Sequence, residues 1–156
     1  MSDHDFLAAF ENTSLPLNQW HHREHLRVAY LYLCGNNWTA ALQKMRYGVQ
    51  QYNTAHAIAQ SPAGGYHETL TYAWLRLVQF VLEQFGAEIN SEAFLDKHSQ
   101  LLEKRVLLFF TQGRSSCQRM RVTPLLSQIW LLSRFLVLVM PLFTFGNVKR
   151  YVQLFS

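Results

Sequence analysis

The chain has 156 residues, 49% of them hydrophobic, enough for one compact domain with a real core. Its formal charge of +4 invites a nucleic-acid or membrane-surface reading, and the distribution of that charge argues against both. All ten acids lie between Asp3 and Glu103, while residues 114 to 156 hold six Lys/Arg and no acid at all; at ordinary composition such a run has a chance probability well under ~1%.

In chain order, Asp3 to Phe10 places Phe6, Leu7 and Phe10 on one face of a short helix that ends at "ENTS" and Pro16. A second helix is predicted from near Asn18 to Cys34, where "GNN" stops it. Thr39 is placed to cap a third, whose Ala41, Leu42, Met45, Val49 and Tyr52 follow helical spacing to about Ile58. The loop "QSPAGG" breaks the chain before a fourth helix, which opens at "YHETL" and runs to Gly86. A fifth is predicted from Ser91 to Gln112. The reading is an all-α, compact helical bundle of about five helices over residues 1 to 113, with an atypical apolar and basic C-terminal tail over 114 to 156. Cys34 and Cys117 form no CxxC or disulfide-framework spacing, and the acidic start MSDHDF is unlike a signal peptide, which points to a reducing cytoplasm.

The stretch "WHHREHL", Trp20 to Leu26, concentrates three imidazoles at the head of the second helix. At 100° per residue His22 shares a stripe with Leu26, Ala29 and Leu33, and His25 stands about 60° away on the same broad face. His56 continues Met45, Val49 and Tyr52 on the third helix, and His67 joins Leu70, Trp74, Val78 and Val81 on the fourth. Each imidazole alone is explained by a hydrogen bond to a helix-end carbonyl. In an up-down bundle, however, the four belong to helix ends that meet at one pole. Inward histidines on facing helices are how bundles hold metals, so His22, His25, His56 and His67 are candidate ligands for Zn, Fe, Mn or Cu.

Glu68 lies 100° from His67 and off its stripe. It reads either as a first-turn carboxylate favoured by the helix dipole or as a ligand, second-shell partner or general base on metal-bound water. Arg23 and Glu24 are expected to face solvent, and His4, His21 and His98 to be surface residues. Tyr66, Trp20 and Trp74 either pack the core or wall a substrate pocket.

The strings "WHHREHLRVAYLYL", "MRYGVQQYNTAH" and "GGYHETLTYAWLRLV", in that order, resemble a family of small, largely uncharacterised bacterial all-helical proteins. Its members share the pattern [T/H]HR[D/E]HLRVAW, an AH after a helix, and [K/G]YHETLT. The resemblance covers roughly residues 6 to 113 and implies a shared site at His22, His25, His56, His67 and Glu68, with no reaction attached. His21 stands where the pattern more often shows Thr.

Proteins similar to this one finish soon after the fifth helix with an ending like "VEPDLAPLP", whereas here the chain reads "RVTPLLSQIWLLSRFLVLVMPLF". Read back into codons from the third base, Thr123 to Arg134 permits Ala-Phe-Val-Glu-Pro-Asp-Leu-Ala-Pro-Leu-Pro. A frameshift near Gly113 would make residues 114 to 156 a non-native tail. The rival, a membrane anchor at Leu131 to Phe145, is a poor span: Arg134 and Pro141 interrupt it, and 14 uncharged residues separate Arg134 from Lys149, against the ~20 a crossing helix needs.

No phosphate-binding glycine loop, GxSxG, HExxH or zinc-finger spacing occurs, so hydride and phosphoryl transfer have no handle. Two function classes remain. One is a metal-dependent enzyme acting on a small molecule, with Glu68 as proton shuttle. The other is a non-catalytic module that captures a small ligand or partner through the same imidazoles.

Overall fold

Side-chain caps mark where most of the described helices begin. The computed structural model describes residues 1–61 and 64–107. Helix α1 is Asp3–Glu11, opened by Ser2, whose hydroxyl accepts the Asp5 amide at 3.1 Å, with Asp3 and Asp5 at the positive end of the helix dipole. Helix α2 is His22–Gly35. It begins four residues later than predicted, because Leu17–Gln19 form a 3-10 turn behind Pro16 and the Glu24 carboxylate accepts the His21 amide at 3.0 Å, satisfying a helix-start donor. Glu24 therefore caps the helix while staying partly exposed.

Helix α3 is Trp38–Ala55, capped not by Thr39 but by Asn37, whose Oδ1 accepts the Ala40 amide at 2.9 Å. Helix α4 is Glu68–Phe85 and stops at Gly86, where φ is +81°, a value that a side chain would strain. Helix α5 is only Ser91–Lys97, capped by Asn90, and a 3-10 turn at Ser99–Leu102 follows. The predicted fifth helix breaks at His98, whose backbone leaves the helical region at φ −113° and ψ 46°; His98 and Leu101 are both buried, at 3% and 0% exposure. Among the described residues there is no strand, only an isolated bridge between Ser61 and Gly64.

The chain divides into two units, Met1–Glu103 and Lys104–Ser156, and the helices above make the first an all-α bundle. The tail from 114 onward, with its frameshift and anchor readings, lies outside the described residues, as do residues 108–112 of the predicted fifth helix. No helix among the described residues is long and apolar enough to cross a membrane.

Helix α2 is the hub, packing on α1, α3, α4 and α5. On one side Phe6 and Phe10 of α1 enter a cluster with Trp20, Met45, Val49 and Tyr52. Gly48 makes this possible: a Cβ there would stand 2.7 Å from the Phe10 ring. On the other side Tyr30 stacks on Phe94 at 4.4 Å, and Leu75, Val78, Val81 and Leu95 are buried. These apolar positions follow the helical spacing seen in the sequence.

A polar clamp ties α1, α2 and α5. Arg27, buried on α2, donates from Nε to Ser91 Oγ at 3.0 Å and reaches Asp3 at 3.2 Å and Glu92 at 2.8 Å. Its guanidinium also lies 3.9 Å from the centre of the Phe6 ring. Arg23, one turn earlier, binds Glu92 and Asp96, so it is an inter-helix contact and not the solvated charge that the sequence suggested. Burial pushes the Asp3 carboxyl up, but hydrogen bonds from Ser91 and Arg27 outweigh it and hold Asp3 below the usual carboxylate range.

Candidate functional site

The candidate imidazoles sit where helix ends bring main-chain carbonyls within reach. His22, the first residue of α2, places Nε2 at 3.2 Å from the Leu101 carbonyl, and its ring lies 4.4 Å from that of Trp74 on α4. His25, one turn on, places Nδ1 at 2.7 Å from the His21 carbonyl. His56, the residue that closes α3, places Nε2 at 3.2 Å from the Thr13 carbonyl. A carbonyl only accepts, so these bonds put the proton on Nε2 of His22, Nδ1 of His25 and Nε2 of His56. In the neutral rings the lone pairs are then on Nδ1, Nε2 and Nδ1 respectively.

Aromatic rings connect two of the three. His25 lies 3.9 Å from Trp20, Trp20 lies 4.7 Å from Tyr52, and Tyr52 lies 4.2 Å from His56, centre to centre. Phe10 stacks on Trp20 at 4.9 Å. Trp20 and Tyr52 are buried, whereas His25 and His56 are partly exposed. The Tyr52 hydroxyl donates to the Leu15 carbonyl at 2.8 Å, so α3 holds the Thr13–Leu15 loop at two points. Thr13 and Ala57, on either side of the His56 contact, have φ of +61° and +52°, a left-handed conformation that costs a non-glycine residue on the order of 1 kcal/mol or more.

Glu68 and His67 stand elsewhere along α3. His67 precedes the first residue of α4. Glu68 accepts from Arg46 Nε at 2.8 and 3.0 Å and from the hydroxyl of Tyr66. Tyr66 is also hydrogen-bonded with Gln50. Gln50 and Arg46 lie six and ten residues ahead of His56, about 9 and 15 Å of helix rise. Glu68 is thus tied to α3 through a side chain well ahead of the end that carries His56. Burial pushes the Glu68 carboxyl up, but Arg46 and Tyr66 outweigh it and keep it below its ordinary value. Tyr66 is pushed up to about 12 by burial and by the Glu68 carboxylate, so it stays a donor.

Among the described residues no group of three or more His, Cys, Asp or Glu side chains is placed to hold a metal ion. Sequence reasoning missed Arg46, and no local signal marks it, since its partner is 22 residues away. It also misjudged His98, which is buried rather than on the surface. Phe94, His98 and Leu101 repeat the four-then-three spacing of an inward stripe, which was the available signal. Trp20 proves to be core, while Tyr66 packs against that core and Trp74 lies against His22. Comparison with protein-family models, curated proteins and solved structures finds no match to this chain.

Proposed function

We propose that the protein is a small-ligand binding module whose recognition surface is the end of the bundle where α2 begins and α3 closes. The observation that carries this reading is the run His25–Trp20–Tyr52–His56, in which two partly exposed imidazoles are each fixed by a main-chain carbonyl. Rings whose tautomer and orientation are set in advance lose little freedom on binding, and the buried Trp20 and Tyr52 brace them from behind. Glu68 supports the non-catalytic form of the reading. Its lone pairs are engaged by Arg46 and Tyr66, and a carboxylate held below its ordinary pKa is a weak base. The motif resemblance to small bacterial helical proteins supports a site at these positions, and the free Cys34 suits a cytoplasmic setting.

A metal-dependent enzyme is the second reading, favoured by one feature: carbonyl-anchored imidazoles are the arrangement that orients histidine ligands in metal sites. One experiment separates the two. The full chain, labelled with 15N in its histidines, is titrated with a panel of small metabolites and, separately, with zinc and manganese salts, and the purified protein is assayed for Zn, Fe, Mn and Cu. Binding of an organic molecule that moves the His25 and His56 ring signals, weakened at least tenfold in His25→Phe, supports the module. Near-stoichiometric metal lost in His25→Ala or His67→Ala replaces it with the enzyme. Ring signals unmoved by every probe refute both.

A further inference from the structure

His98 is the one described side chain whose buried polar atom meets nothing: its Nε2 has no hydrogen-bond partner, and the residue is 3% exposed. Its ring lies 4.9 Å from Phe94 and 5.3 Å from Phe85. A neutral imidazole tolerates such a place, because an unprotonated nitrogen against aromatic carbon loses only one acceptor bond. An imidazolium does not, because both nitrogens must then donate and the charge is cut off from water.

The residue also stands at a joint. It closes α5 and opens the Ser99–Leu102 turn, with its backbone outside the helical region at φ −113° and ψ 46°. Its amide donates to the Phe94 carbonyl at 3.0 Å, and its carbonyl accepts the Leu101 amide at 2.9 Å. The Leu101 carbonyl in turn accepts from His22 Nε2 at 3.2 Å. Two hydrogen bonds, joined through Leu101, therefore lead from His98 to an imidazole of the candidate site.

We propose that His98 is an acid-sensitive latch: protonating its ring frees the Ser99–Leu102 turn, and with it the carbonyl that holds His22. The surroundings support the direction. Burial and the neighbouring Lys97 both disfavour the charged ring, and Glu88 opposes them, but Glu88 is itself paired with Lys97. From α2 this segment is faced by Tyr30, whose hydroxyl is bonded to the Glu88 backbone at 3.0 Å and which burial pushes up to about 12, by His22 at the Leu101 carbonyl, and by Arg23 and Arg27, which are paired with Glu92 and Asp96. From α4 the ring meets Phe85, which carries no charge. The latch rests on the packing of His98 and stands whichever ligand the α2 end binds.

The sign follows from linkage: the folded chain holds His98 below the ordinary histidine value of 6.5, so its contribution is complete above pH 6.5 and is lost as pH falls through the folded pKa. The test follows histidine ring signals and amide hydrogen exchange of the full chain from pH 8 to pH 5. The expected result is a His98 midpoint below 6.5. Starting at pH 6.5, the opening equilibrium of the Leu101 amide should rise about tenfold per pH unit, until that midpoint is reached. The His22 ring signal should move in step. His98→Leu should abolish this pH dependence, and His98→Gln, which keeps a polar group that cannot titrate, should do the same if the leucine variant fails to fold. A His98 midpoint at or above 6.5 with the Leu101 amide unchanged overturns the latch. So does acid opening that persists in both variants, or loss of protection across α1 and α3 at the same midpoint, which would be global unfolding.

Discussion

Helix α2 turns two different polar surfaces to its neighbours. Toward α1 and α5 it offers Arg23 and Arg27, i and i+4, which meet Asp3, Ser91, Glu92 and Asp96. At its first turn it offers His22 and His25, whose rings meet carbonyls and indoles. The first surface is full charges fully answered, which fixes the angle between helices but leaves little room for chemistry. The second is built of imidazoles that are partly exposed and held by single main-chain carbonyls and neighbouring rings, which fixes geometry with fewer ionic contacts. One helix thus separates scaffold from site by the choice of arginine or histidine, positions apart by a turn or less.

Breaking the scaffold side should cost most. Arg27→Ala removes a buried guanidinium that bonds Ser91, Asp3 and Glu92 and covers the Phe6 ring, and should lower stability by about 3 kcal/mol, read from the denaturant midpoint. The same variant should flatten the acid limb of stability. Asp3 is held below its ordinary 3.8, so its contribution is present above that pH and is lost as pH falls through the folded value. An Arg27→Ala chain as stable as the parent would erase the contrast between the two surfaces.

Next in size is Gly48→Ala, which sets a methyl 2.7 Å from a buried Phe10 ring that is stacked on Trp20 and Tyr52 and cannot swing away. Overpacking of this kind costs about 2 kcal/mol, visible as a lower melting temperature. It sharpens the comparison by showing that the site side relies on shape where the scaffold side relies on charge. Tyr52→Phe keeps every ring contact and removes the donor to the Leu15 carbonyl, so about 1 kcal/mol should be lost. The smallest effect is expected for Arg46→Gln. That pair is 39% and 37% exposed and contributes about 0.5 kcal/mol. The variant should nonetheless raise the Glu68 titration midpoint, measured by carboxyl NMR, because the hydrogen bonds that held it down are gone.

The difference between the two surfaces also marks what could be read in the sequence. Periodicity located five helices and buried Met45, Val49, Tyr52, Val78 and Val81, because a stripe is a local property of one helix. It aimed His22 and His25 inward for the same reason. It missed the start of α2, since a 3-10 turn behind Pro16 and a Glu24 cap compete with helical spacing on equal terms. It chose Thr39 over Asn37 because both residue types cap well and only the backbone decides. The clamp was illegible: Asp3 and Ser91 are 88 residues apart, and nothing near either one names the other. Charge type alone made Arg23 look solvated, although pairing with Glu92 and Asp96 draws it against α5.

The hold that α3 keeps on the Thr13–Leu15 loop has a consequence for the order in which the chain assembles. Helix α1 has nine residues, too few to persist alone in water, and the groups that fix it lie far downstream. His56 is 43 residues after Thr13 and Tyr52 is 37 after Leu15. At roughly 5–20 residues per second of synthesis, α1 waits several seconds for its dock on α3, with Phe6 and Phe10 uncovered. Ser91, the far anchor of Asp3, arrives later still. Helix α1 is therefore made well before the residues that hold it, and its folding waits on theirs.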